Sequence, residues 1–500
     1  MRSDPQNASP ETFAQAHAKF IVGLRYDDLP PAAVTQATSM LVDGVACGFA
    51  AITSPIARAL QAWTGRGGGE HRVFGDPTGT DARSAVLANG TLIHALDFDD
   101  IPHFAAVEVP PALAIIEDRD VSGEELIVAI VAGFEVCARV TTMLAHGRPQ
   151  HPIGTAGAIG ATAVAARLLG LDVEQTATAL SIAASMSSGL TENFGTFTKP
   201  FHAGRAAEAG YTAATLAAAG WTADVGVYEG RKGYFAAYCD PNAHVEREFG
   251  AAEDDFWITR VPADLSAGSP LDEQTFPPVH RGGGLDVSRV GLGAPSDQLR
   301  GGPNLSRGPS FKPWPACGGN NAVLTAMFSL IHRGDVARED IERVEIVVPT
   351  DPERGAVFRT RPKDALQGKF SLPYGVAAAW LDGEVTVASY EDDTFQRIMS
   401  RGLLDRISIR IEPAFIQQAE TRPDLDDCNW AAVVVTLADG TVHTSWAFNR
   451  GVEMGAPAVD EKFLVLTTPF LGDRAEDTLR QLRAISSAPS AQAVLAPLMD

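Results

Sequence analysis

The chain has 500 residues, a size that favours two domains over one core. Its 45% hydrophobic and 20% charged residues are ordinary globular composition, and a net charge of −22 argues against nucleic acid as a partner. The cysteines Cys47, Cys137, Cys239, Cys317 and Cys428 are odd in number and contain no C-x-x-C pair, so neither a disulfide framework nor a zinc ribbon is indicated. The N-terminus has no apolar signal segment. The most apolar run, Leu126 to Val136, is too short to span a bilayer. A cytoplasmic protein with no membrane partner is the expectation.

From the start to about residue 265 the pattern is helical. Ser9 and Pro10 cap the run ETFAQAHAKFIVGL, and Pro30-Pro31 opens AAVTQATSMLVDGVACGFAA. Ser122-Gly123-Glu124-Glu125 leads into LIVAIVAGFEVCARV. The next two helical runs, TAGAIGATAVAARLLGL and TATALSIAASMSSGL, are dominated by Ala, Gly and Ser. Helices apolar on all sides are buried ones, so this half reads as an α-domain whose central helices have helical neighbours all round. Residues 266–309 are rich in Gly and Pro and read as a long loop. Beyond it, ERVEIVVP (342–349) and RISIRIE (406–412) alternate as strands do. AAVVVTL and TVHTSW form a hairpin closed at Ala438-Asp439-Gly440. Gly318 to His332 and the segment after Pro373 are helical, and helix returns from about 451. The fold class is mainly α. A helical core domain comprises 1–265 and 451–500, and an α+β lid comprises 266–450.

Five blocks stand out in order: VFGDPTGTDARSAVLANGTLIHALDFDD (73–100), HPIGTAGAIGATAVAARLLGLD (151–172), GTFTKPFHAGRAAEAG (195–210), FKPWPACGGNNAVLTA (311–326) and GKFSLPYGVAAAWLDG (368–383). Together they resemble the MmgE/PrpD family. The resemblance implies a helical domain capped by an α+β lid, a homodimer and a small carboxylate substrate. It also implies chemistry without metal or organic cofactor. The family's activities include dehydration of 2-methylcitrate, decarboxylation of cis-aconitate and epimerisation of iminodisuccinate. Their shared step is proton removal or delivery beside a carboxylate.

Such chemistry needs cations for the carboxylates, a base and an acid. The chain has only seven lysines, among them Lys199 in TKPFH and Lys312 in FKPWP, at or near positions resembling the family's site lysines. Surface exposure is the bland reading for a lysine. Asp97 of DFDD resembles the site carboxylate, whereas Asp99 and Asp100 read as a helix-terminal acidic cluster. A magnesium site is the other reading of three nearby carboxylates, but the spacing is not DDxxD. His151 opens a helix, where the dipole favours an anionic ligand and lowers a histidine's pKa. His202 shares the Lys199 face if that segment is helical. His94 precedes Asp97 by three. Tyr374 in SLPYG matches a substrate-facing tyrosine. The catalytic candidates are therefore Asp97, His151, Lys199, Lys312 and Tyr374, with His94, His103 and His202 binding substrate and no metal ligand.

The pattern also departs from the family. Dehydratase and decarboxylase members follow DFDD with a threonine and then a His-Pro pair, where this chain has Ile101 and, ungapped, Val107. His103 can fill the histidine's role only in a rebuilt loop, and Glu108 is the other candidate. Cys317-Gly318-Gly319-Asn320-Asn321 stand where many members carry Arg or His, implying a substrate with fewer carboxylates or one bound differently. A lyase reading, an epimerase reading and a non-catalytic scaffold remain as alternatives, with the lyase first.

Overall fold

The computed structural model describes residues 11–498 apart from 65–67, 146–148, 246, 248, 251–255, 260–307, 349–358, 413–429 and 449–454. The expected loop at 266–309 therefore lies almost wholly outside the described residues.

Helix α1 (Phe13–Gly23) is capped by Thr12, whose hydroxyl accepts from the Gln15 amide while Gln15 Oε1 accepts from the Thr12 amide. The cap thus falls three residues beyond Ser9, which is outside the described residues. Helices α2 (Pro31–Ala50), α3 (Pro55–Thr64), α4 (Ala82–Ala95) and α5 (Ala105–Asp118) follow, with a short hairpin of β1 (His71–Val73) and β2 (Asp76–Thr80) before α4. That hairpin was not expected: its strands are too short to show an alternating pattern.

The centre of the helical domain is α6 (Gly123–Met143), α7 (Pro152–Leu169), α8 (Val173–Ala184) and α9 (Thr198–Ala218). Ser122 caps α6 by accepting from the Glu125 amide. The helix continues well past the Leu126–Val136 run in both directions. By length and composition α6 and α7 could each cross a membrane, but 94% and 83% of their most apolar windows are buried inside the protein. This corrects the expectation that the run is too short. Glycines set the spacing between these helices. A Cβ on Gly204 of α9 would lie 2.2 Å from the Leu87 carbonyl of α4, and one on Gly210 would lie 2.4 Å from Ala161 Cβ of α7.

After α10 (Tyr234–Tyr238), the lid contains α11 (Asn321–His332), α12 (Ala365–Gly368), α13 (Leu372–Asp382) and α14 (Asp392–Ser400). Its sheet joins β3 (Ile341–Val348), β4 (Ile407–Ile411), β5 (Trp430–Leu437) and β6 (Val442–Phe448) in the order β4-β3-β5-β6. The pair β3–β4 is parallel and the others antiparallel, with the expected hairpin between β5 and β6. The chain ends in α15 (Ala456–Leu471), α16 (Arg474–Arg483) and α17 (Ala491–Leu495). Among the described residues this makes a mainly α protein with a smaller α+β part, as composition and pattern indicate.

Two large apolar clusters reflect this layout. One runs from Phe13 to Phe311 and takes in Val459 to Leu498 of the tail. The other lies within 316–447. Replacing Gly204 with alanine should force α4 and α9 apart and cost about 1–3 kcal/mol. A lowered denaturation midpoint at unchanged slope is expected, and an unchanged midpoint would contradict so close an approach.

Candidate active site

Helix α4 ends at Ala95, and the chain then turns sharply. Asp97 has φ 53°, in the left-handed region that aspartate tolerates better than most residues. Asp100 closes the turn by accepting from the amides of Phe104 and Ala105 at 3.0 and 2.9 Å, which caps the start of α5. The loop between contains a cis Ile101–Pro102 peptide and a positive φ at His103. Ile101 and Ser310 bridge in both directions through their main chains, drawing the segment that carries Lys312 against this loop.

Asp97 is the hub. Lys199 Nζ, from the first turn of α9, donates to Oδ2 at 2.6 Å, and Lys312 Nζ donates to Oδ1 at 2.5 Å and to the Asp97 carbonyl at 2.8 Å. Pro200 does not disturb α9 because first-turn amides have no partner within the helix. All three side chains are buried. Burial alone would raise the Asp97 carboxyl, yet the Lys199 and Lys312 ammoniums hold it well below the usual carboxylate range. Burial would likewise lower Lys312, and Asp97 keeps it raised.

A second chain of contacts runs behind the first. His94 Nε2 lies 2.9 Å from Lys199 Nζ, and an ammonium can only donate, so Nε2 accepts. His94 therefore carries its proton on Nδ1, which faces both oxygens of Asp99 at 3.0 Å. His103 Nδ1 faces Asp99 Oδ2 at 3.2 Å, and its Nε2 lies 3.9 Å from Asp97 Oδ1. Burial lowers His94, and burial with Lys312 lowers His103 to about 3, so both imidazoles are neutral. Burial opposes ionisation of Asp99, and the two imidazoles facing it keep its carboxyl well below the ordinary range.

His151 caps α7 by position, and its Nδ1 lies 3.1 Å from His202 Nδ1. One of the pair donates and the other accepts. Burial, followed by Lys199, pushes His151 well down, and burial with His94 pushes His202 down to about 4. Phe194 and Phe370 each place a ring 5.3 Å from Lys199 Nζ and pack with Cys317 into a small apolar cluster apart from both main cores.

Seven of the eight candidates thus share one neighbourhood. Tyr374 does not join their contacts. Its hydroxyl donates to the Ser389 carbonyl at 2.5 Å, and its ring packs on Tyr390 and Phe395 inside the lid. The acidic cluster divides: Asp100 is a helix cap, whereas Asp99 orients two histidines. Val107 is buried against Gly157, Glu108 is a buried carboxyl with no hydrogen-bond partner among the described residues, and His103 contacts Asp99 and lies near Asp97. His94, Asp97, Asp99 and His103 offer ligand atoms within 4.8 Å of one another. The Lys199 and Lys312 ammoniums fill the positions a cation would take at Asp97, so the donor set fits a metal poorly.

Two further residues escaped notice in the sequence. Lys369 Nζ donates to the carbonyls of Leu96 and Pro315 at 2.9 and 2.8 Å, and Lys462 Nζ donates to the carbonyl of Phe98 at 2.5 Å while pairing with Asp43 at 2.6 Å. The scarcity of lysine was the available signal. Four of the seven meet residues 96–98.

The N-terminal domain model of the MmgE/PrpD family matches residues 15–246, and its C-terminal domain model matches residues 314–487. The chain belongs to the MmgE/PrpD family. MmgE/PrpD relatives include the cis-aconitate decarboxylase of Mus musculus, 24% identical over 455 residues that cover 87% of this chain and 81% of the relative. That of Homo sapiens is 26% identical over 461 residues, covering 87% and 82%. An Aspergillus terreus cis-aconitate decarboxylase is 27% identical over 260 residues, covering 47% and 53%. These likenesses support an MmgE/PrpD enzyme with a lyase-type activity.

Asp97→Asn would leave two buried ammoniums without their carboxylate, at a cost of about 3–5 kcal/mol near neutral pH. In the native protein the depressed Asp97 pKa adds stability that is full above about pH 4 and is lost as the pH falls toward the depressed value. The variant should lack that acid limb, and its stability should instead rise toward alkaline pH as the lysines become free to lose protons. Thermal melts across pH check both signs, and parallel curves for the two proteins would contradict the assignment.

Proposed function

We propose that the chain is a cofactor-free lyase that decarboxylates a small unsaturated polycarboxylate of the cis-aconitate type. One observation carries this reading: two buried ammoniums, from Lys199 and Lys312, converge on a carboxylate in a protein of net charge −22. The carboxylate they hold is Asp97, and its pairing supports a carboxylate as the ligand. A substrate carboxylate is expected to share Lys199 and Lys312 with Asp97.

Loss of CO2 breaks a carbon–carbon bond and leaves its electron pair on the substrate. That pair delocalises toward a retained carboxylate as an enolate-like anion. Lys199 and Lys312 stabilise this charge where water is excluded and Coulomb attraction is strong. The anion then needs one proton at carbon. Lys199 Nζ is placed to supply it, with His94 Nε2 fixing the ammonium's direction and Asp99 fixing the His94 tautomer. His103, bonded to Asp99 through Nδ1, keeps Nε2 as a neutral acceptor. The apolar wall of Phe194, Cys317 and Phe370 suits a substrate part without charge. As in the family resemblance, a homodimer is the expected assembly.

The test is turnover of cis-aconitate and simpler unsaturated dicarboxylates in D2O, followed by proton NMR and CO2 release. Release of one CO2 with one deuteron fixed at carbon is the expected result. Lys199→Met should lower kcat by about a hundredfold or more. Deuterium exchange or inversion at a carbon with no CO2 and no new alkene would replace this reading with the epimerase one. Absence of both would leave the scaffold reading.

A further inference from the structure

Three successive carbonyls, those of Leu96, Asp97 and Phe98, each accept from a different buried lysine: Lys369, Lys312 and Lys462. A buried carbonyl needs a donor, and an amide elsewhere in the fold would serve for that alone. Lys312 and Lys462 each pair with a carboxylate, Asp97 and Asp43. Lys369 does not. It is 4% exposed, its Nζ donates to the Leu96 and Pro315 carbonyls, and that Nζ lies 4.4 Å from the Tyr390 ring centroid.

Those two acceptors belong to the two segments that meet at the site. Leu96 directly precedes Asp97 at the end of α4, whereas Pro315 lies three residues beyond Lys312. The Lys369 main chain holds the same lid segment: its carbonyl accepts from the Cys317 amide and from Asn320 Nδ2, both at 3.0 Å. One residue therefore binds the segment 315–320 through its backbone and reaches across to the Asp97 loop through its side chain. We propose that Lys369 is a positioning residue that locks the lid segment carrying Lys312 against the Asp97 loop, so that the clamp closes only when this strut is in place. Its kinetic consequence rests on the lyase reading, and its structural consequence does not.

The charge state of the strut follows from its surroundings. Around Nζ lie Asp97 from the loop, Lys312 from the lid segment, Lys199 from α9 and the Tyr390 ring. Burial lowers its pKa to about 7, with Asp97 opposing and Lys312 and Lys199 adding to the fall. A neutral amine satisfies both carbonyls with its two N–H bonds. Protonation adds a third N–H and a charge beside two ammoniums, which loosens the strut as the pH falls below about 7.

Hydrogen exchange and kinetics on the full-length chain test this, with Lys369→Met and Lys369→Gln as variants and Lys363→Met, at an exposed lid lysine, as control. In Lys369→Met, exchange should rise by about tenfold or more at 94–100 and 312–320 together. Its kcat on the carboxylate substrate should fall by about ten- to a hundredfold with KM little changed. Lys369→Gln, which keeps two neutral N–H donors, should recover part of both. Native kcat is expected to fall below about pH 7, and that fall should vanish in both variants. A limb that survives in both variants would overturn the titration of Lys369 and assign it to Asp100, which burial and Asp99 push up to about 7. If Lys369→Met does not fold, Lys369→Gln decides by the same exchange readout. If the native protein turns over no carboxylate, the lyase reading fails and exchange alone judges the strut. Unchanged exchange at 94–100 in a folded variant would overturn it, as would native kcat and pH profile.

Discussion

Everything in this site hangs on the Asp97 carboxylate, buried between two ammoniums. A lone carboxylate or a lone lysine could not be buried ionised at this depth, because the desolvation cost runs to several kcal/mol per ion. Each makes the others tolerable. Because Lys199 comes from α9 and Lys312 from the segment leading into the lid, pairing them on Asp97 also fixes where the lid sits on the helical domain. The same contact that permits the charges thus sets the geometry.

The acidic character of the chain gives this cluster its meaning. A surface charge of this sign repels anions at long range, so an anionic substrate depends on local focusing. Four of seven lysines meet residues 96–98, from the start of α9, the 312 segment, the turn before α13 and the tail helix α15. Their negative partners are few: Asp97 and, behind it, Asp43. With His94 and His103 neutral and Lys369 lowered to about 7, the ammoniums of Lys199, Lys312 and Lys462 face the carboxylates of Asp97, Asp99 and Asp43. A ligand carboxylate therefore has to share the lysines that Asp97 holds. The Cys317-Gly318-Gly319-Asn320-Asn321 block is consistent with this. Its Cys317 amide and Asn320 Nδ2 contact the Lys369 carbonyl, and the block carries no charge of its own.

The sequence revealed most where residues were rare or the pattern periodic. The all-round apolar runs gave the buried helices, and the alternating runs gave the sheet strands. The scarcity of lysine and the DFDD and TKPFH blocks led to Asp97, Lys199 and the histidines. Three things stayed hidden, each for a physical reason. Tyr374 sits in a motif but spends its hydroxyl on the Ser389 carbonyl, a partner set by tertiary packing. Asp99 and Asp100 are neighbours with identical side chains, and only the turn's backbone sends one to a helix cap and the other to two imidazoles. Lys462 lies 364 residues from the carbonyl it reaches, and no local spacing encodes such a contact. His103 is the intermediate case: spacing left it and Glu108 as alternatives, and its contacts with Asp99 and Asp97 come from the turn's backbone.

The central claim is that the Lys199–Lys312 clamp is a carboxylate site. The most direct measurement is a crystal structure with a bound, unreactive saturated dicarboxylate. The account predicts a ligand carboxylate oxygen within hydrogen-bonding distance of both Nζ atoms, with Asp97 giving up or sharing one of its lysines. A ligand bound elsewhere, with the Asp97 clamp closed and unchanged, would contradict it.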